Sequence, residues 1–181
     1  RMAEDLHTTA FGMQQTLSVY MIAFAMMSLL HGPLSDALGR RRIILGGVAV
    51  FVLASIGCAS ADSIAELLVY RAVQGMSAGA GMIVGRAIIR DCFDGAEAQR
   101  LMSLVTMIFA IAPAIAPVIG GWLQGAVGWR AIFWFLAAYG LALLMATLRR
   151  LPETHQVAER QPFHAGPLLR NYLRLGGNAK L

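Results

Sequence analysis

The sequence predicts an all-α, polytopic transmembrane helix bundle, and three observations predict it. Of the 181 residues, 57% are hydrophobic and only 14% are charged. The apolar residues gather into five long runs nearly free of Asp, Glu, Lys and Arg. The basic residues fall in alternate connections between those runs. A soluble domain averages roughly 45–50% apolar and about 25% charged residues. A soluble chain of this size has too little interior to hide the excess. Disorder is excluded by the same excess, and collagen by the lack of a G-X-Y period.

A helix needs about 20 apolar residues to cross a bilayer. The first span is placed at about residues 14–30, inside Thr8–Leu30, which carries no charge. The second, 43–61, is equally uncharged. The third, 64–89, has only 14 uncharged residues between Arg71 and Arg86, so both arginines must lie inside its ends. The fourth, about 101–127, falls in the uncharged run Leu101–Trp129, and the fifth is 131–148. These are too long, and too rich in Leu, Met and Ala, for alternating strands. Five in succession leave almost no polar face for a soluble core.

Orientation follows from the basic residues. All but three of the 15 lie in the first connection (Arg40, Arg41, Arg42), the third (Arg86, Arg90, Arg100) or after the last span. Alternating helices put these on one side, which is then the cytoplasm. The N-terminus of the chain is expected outside, which in a bacterial inner membrane is the periplasmic side, and its C-terminus inside. The net charge of +5 is therefore a topology signal, and no nucleic-acid site is expected. Cys58 falls near the outer end of its span and Cys92 in a cytoplasmic connection, so they cannot pair across ~30 Å of hydrocarbon. The four histidines are scattered, with no metal-ligand spacing. No nucleophile–base pair, metal cluster or phosphate-binding loop appears, so no enzyme, cofactor or ATP-driven pump is expected. Arg1-Met2-Ala3-Glu4-Asp5 is polar and does not read as a signal peptide.

Three segments carry most of the functional information. Gly32-Pro33-Leu34-Ser35-Asp36-Ala37-Leu38-Gly39-Arg40-Arg41-Arg42 reads as a tight turn with a charge network at the cytoplasmic face. Within the third span, Arg71-Ala72-Val73-Gln74-Gly75 places an arginine in a membrane helix. That is costly and marks a functional candidate, although a guanidinium this near the helix start could also snorkel outward. Gly75-x-x-x-Gly79 and Gly81-x-x-x-Gly85 suit close helix packing. Asp91, at the cytoplasmic end, either pairs with Arg40 or Arg41 or stays solvated. In the fourth span, Pro113 and Pro117 precede Gly120 and Gly121, which predicts a bent, closely packed helix. Tyr20, Phe24 and Met107 are candidates for a substrate cavity, with core packing as their alternative.

The first segment resembles the signature loop of the major facilitator superfamily, Gly-x-Leu-Ala/Ser-Asp-Arg/Lys-x-Gly-Arg-Arg/Lys, with Ala37 departing from the usual base. Arg71–Gln74–Gly75 resembles the fourth-helix motif of that superfamily. Ala112-Pro113…Ala116-Pro117…Gly120-Gly121 resembles its fifth-helix antiporter motif, with alanines for two glycines. Together with Arg86–Asp91 and Leu151-Pro152-Glu153-Thr154, the order is similar to the bicyclomycin and chloramphenicol resistance (Bcr/CflA) family of drug–proton antiporters. The resemblance implies a proton-coupled efflux transporter of the bacterial inner membrane, working by alternating access on drug-like small molecules. It implies a gating loop at Gly32–Arg41 with Asp91, proton coupling at Arg71, and export from the proline-rich helix. It maps the five spans onto the family's second to sixth helices, so that a first helix, with a protonatable acid, and a C-terminal half are expected partners. The alternatives are a metabolite or sugar exporter of the same superfamily, or a non-transporting membrane fragment that needs a partner chain. Residues 149–181 are expected to form a cytoplasmic linker between halves, with a short helix near Leu168–Leu175.

Overall fold

The computed structural model describes residues 2–154, all of whose regular structure is helical. A one-turn helix α1 (Met2–Asp5) precedes α2 (Ala10–Leu38), α3 (Arg40–Ser60), α4 (Ile64–Cys92), α5 (Gly95–Ala126) and α6 (Arg130–Arg150). The five long helices are each long and apolar enough to cross a membrane. They overrun the apolar runs because caps, not hydropathy, end a helix. Thr9 caps α2 by accepting from the Gly12 N–H at 3.3 Å, and Ser63 caps α4 by accepting from Glu66 at 3.2 Å. Arg149 and Arg150, expected in the linker, form the last turn of α6. The rest of the expected linker, from residue 155 and including the helix at Leu168–Leu175, lies outside the described residues.

Gly32 and Pro33 do not form the expected turn. Both lie inside α2, which continues to Leu38. A proline forfeits one helix hydrogen bond, and the helix runs on past it, with Gly39 N–H donating to the Ser35 carbonyl at 3.0 Å. Gly39 alone reverses the chain, at φ 100° and ψ 145°, a conformation that a Cβ would strain.

Helix α4 is the centre of the bundle, packed broadly on α2 and α3, while α3 also packs on α6. Small residues allow this. A Cβ on Gly75 would collide with the Tyr20 carbonyl oxygen and stand 3.1 Å from its Cα, so α2 and α4 touch backbone to backbone. A Cβ on Gly47 would stand 2.6 Å from that of Ala80, and one on Gly140 2.8 Å from Val52. Of the expected close-packing glycines, Gly75 and Gly79 face α2, whereas Gly81 and Gly85 face open space.

Helix α5, expected to be closely packed, has little packed against it among the described residues. It is helical through both Pro113 and Pro117, yet none of its residues is buried. It meets only α4 and α6, and each slightly. Gly120 and Gly121 have nothing within 4 Å of where a Cβ would stand. Ala112, Ala116 and Gly120 instead line an apolar groove of about 700 Å³ between α5 and α6. Small residues permit close approach only where another helix supplies the opposing surface, and among the described residues none does.

Candidate functional site

Two polar assemblies interrupt the apolar bundle, and α4 contributes to both. The first lies within the membrane-length part of α4. Arg71 turns toward α2 instead of running along its own helix to the end. Its Nη1 donates to Gln74 Oε1 at 2.6 Å and its Nε to the Thr16 carbonyl at 3.4 Å. Its guanidinium carbon sits 4.2 Å from the centre of the Tyr20 ring, a cation–π contact. Gln74, fully buried, passes the chain on by donating from Nε2 to Ser55 Oγ at 2.8 Å. Ser55 in turn donates to the Phe51 carbonyl at 2.7 Å. Three helices are thereby joined through a single polar chain. Among the described residues, no carboxylate forms an ion pair with Arg71.

The second assembly lies where α2, α3, α4 and α6 end together. Arg40 is its hub and is only 8% exposed. Its Nε donates to Asp91 Oδ2 at 2.9 Å, and its Nη1 donates to Asp36 Oδ1 and to Ser35 Oγ. Asp91 thus pairs with Arg40. Arg41 takes a different role from the expected charge pair: its Nε donates to the Leu151 carbonyl at 2.8 Å and its Nη2 to that of Leu148 at 3.1 Å. Arg41 therefore clips the end of α6 to the start of α3. A cation is well placed there, because the last carbonyls of a helix lack partners in the helix itself.

A third cluster closes the opposite end of the bundle. Trp129 Nε1 donates to Asp5 Oδ2 at 2.8 Å, and the Arg130 guanidinium carbon lies 4.4 Å from the Trp129 ring centre. Arg130 also donates to the Ala61 carbonyl at 2.9 Å and to Asp62 at 3.2 Å. Beneath it, Leu6, Cys58, Ala61, Leu67 and Trp129 form an apolar cluster.

With five membrane-length helices and a charged hub between the ends of α2, α3 and α4, comparison with known proteins is decisive. The Major Facilitator Superfamily profile matches residues 1–177. The chain belongs to the major facilitator superfamily. It is 33% identical over 173 residues to a bicyclomycin resistance protein homolog of Haemophilus influenzae, covering 96% of this chain and 44% of that protein. It is 32% identical over 178 residues to multidrug resistance protein D of Escherichia coli, covering 98% and 44% respectively. The chain thus spans less than half the length of the curated relatives it matches. In fold it is similar to the human organic anion transporter MFSD10, with a TM-score of 0.73 at 21% identity over 93% of this chain and 40% of that one. It is a multi-pass membrane protein of the superfamily.

The superfamily motifs fall unevenly on the structure. Asp36, Gly39, Arg40, Arg41 and Asp91 come together, and so do Arg71, Gln74 and Tyr20. Gly32 and Pro33 contribute helix, not turn. Phe24 stacks on Tyr20, with ring centres 6.5 Å apart. Met107 is apart from both: it is 52% exposed on α5, which makes no contact with α2. A cavity shared by Tyr20, Phe24 and Met107 is therefore not formed by the described residues, because the helices that carry them do not meet. Sequence reasoning does not single out Ser55, whose signal is a hydroxyl inside an otherwise apolar run. Glu153 is legible only within the Leu151–Thr154 resemblance, because its contacts with the Arg40 and Arg41 backbone N–H groups join residues distant in sequence.

Proposed function

We propose that this chain is the N-terminal part of a proton-coupled efflux transporter for drug-like small molecules in a bacterial inner membrane. The observation that carries the reading is Arg71. It is a permanent cation within a span, and its partners among the described residues are all neutral: Gln74, the Thr16 carbonyl and the Tyr20 ring. A charge held so is costly unless an acid answers it during the working cycle. A carboxylate that alternates between proton and Arg71 supplies such coupling. Transporters of this architecture place their site between two repeated halves near the midplane, so the acid is assigned to a segment beyond the described residues. Alternating access then rocks the two halves about that site. The Arg40–Asp36–Asp91 hub gates one face, and the density of basic residues there makes it the cytoplasmic one. The relatives named for multidrug and bicyclomycin resistance support efflux of drugs over export of metabolites.

The test is accumulation of a fluorescent cationic dye in a pump-deficient bacterial strain carrying the longest reading frame that contains this chain. The expected result is low accumulation, restored to the vector level by a protonophore and by Arg71→Gln at equal protein abundance. Unaltered efflux in Arg71→Gln would remove the coupling role. Efflux that survives the protonophore would remove the proton.

A further inference from the structure

Helix α2 turns polar atoms toward its neighbours. The Thr16 carbonyl and Tyr20 meet Arg71 of α4, and Ser35 meets Arg40 at the start of α3. Between these two assemblies lies His31, which neither uses. It is only 3% exposed, and its Nδ1 has no hydrogen-bond partner among the described residues. The Met27 carbonyl, one turn back, lies near the ring. Ser28 Oγ is equally unpartnered. Both atoms press on α4 at Gly79, where an added Cβ would stand 2.9 Å from Ser28 Oγ and 3.3 Å from His31 Nδ1. The imidazole also borders a groove of about 340 Å³ between α2, α3 and α4, lined by Met27, Leu34, Gly46, Met76 and Arg42.

We propose that His31 is a proton-binding site whose occupancy loosens the α2–α4 contact. The neutral ring fits the buried seat. A proton taken from the aqueous phase onto Nδ1 would place a full positive charge in a buried seat, where the Met27 carbonyl dipole is near but no carboxylate answers it among the described residues. Among the described residues, the surroundings offer it no counter-charge. From α3 the charged group on the groove is Arg42, which repels it. From α4 the facing residues are Val73, Met76, Ser77 and Gly79, all uncharged, while Arg86 and Arg90 are exposed. On α2 itself Asp36 is taken by Arg40. Helix α1 packs at the far end of α2, beyond Thr9. The charged ring must therefore admit water or push α2 away from α4. Imidazole is the side chain that changes charge between about pH 5 and 8. The sign follows: α2 and α4 close together at the alkaline end and separate at the acidic end.

Spin labels at Leu38→Cys on α2 and native Cys92 on α4, both exposed, measure the separation. The measurement uses the longest reading frame containing this chain, in lipid nanodiscs and a Cys58→Ala background. As pH falls from 8 to 5, the mean distance is expected to lengthen along a single-proton titration. His31→Gln, or His31→Phe if the first variant does not fold, should hold the short distance throughout. A distance that does not change with pH, or a change that persists in either folded neutral variant, would overturn the proposal. Dye efflux is not read here, so the outcome is separate from that of the Arg71 test.

Discussion

The carboxylate of Glu153 accepts hydrogen bonds from the backbone N–H groups of Arg40, at 3.0 Å, and Arg41, at 3.4 Å. The first turn of α3 is thus capped by a residue 113 positions further along the chain. Its own N-cap, Gly39, has no side chain to do so. A negative charge at this end also suits the helix dipole. With Arg41 reaching the Leu148 and Leu151 carbonyls, the start of α3 and the end of α6 satisfy each other's unpaired backbone groups.

Removing this cap should destabilise the protein by about 1 kcal/mol, the usual worth of an N-cap. Glu153→Ala should lower the midpoint of thermal unfolding in detergent, read by intrinsic fluorescence. Glu153→Gln, which keeps an acceptor oxygen but loses the charge, should lie between the two. An unchanged midpoint in Glu153→Ala would show that water replaces the carboxylate at no cost.

In the Arg40 hub the cation is buried while Asp36 and Asp91 are partly exposed. Arg40→Ala leaves both carboxylates within reach of water and should cost about 1–3 kcal/mol. Asp91→Asn should cost less, because Asp36 remains. A double-mutant cycle on Arg40 and Asp91, followed by denaturant unfolding, should return a coupling well outside the few tenths expected of independent sites. Additive effects would mean that the pair at 2.9 Å contributes no energy of its own.

The glycines of α4 should divide by position rather than by spacing. Gly75→Ala drives a methyl into the Tyr20 backbone and should cost about 1–3 kcal/mol and reduce folded yield by size-exclusion profile. Gly81→Ala meets nothing within 4 Å and should be neutral or slightly stabilising, since alanine is the better helix former. Equal losses at both positions would contradict the packing described.

Much of this was legible in the sequence. Arg71 and Gln74, three residues apart, share one face of a helix by periodicity alone, and their contact at 2.6 Å needs no tertiary information. Asp36 and Arg40 are likewise one turn apart. The proline-rich helix shows the limit of such reading: small residues announce that a helix can be approached, not which surface approaches it. Whether Gly120 meets a neighbour depends on which helix lies opposite.

The sequence by itself determined the helical membrane architecture, the five membrane-length helices and the gathering of basic residues in alternate connections. Each is set by transfer of apolar and charged groups between water and lipid, a property of composition read along the chain. Only the tertiary structure decided that Glu153 caps α3, that Ser55 receives Gln74, and that His31 Nδ1 lies against Gly79 with no partner among the described residues. Those contacts join residues far apart in sequence. Hydrogen bonds act over about 3 Å, so they exist only once packing of the helices has brought the atoms together.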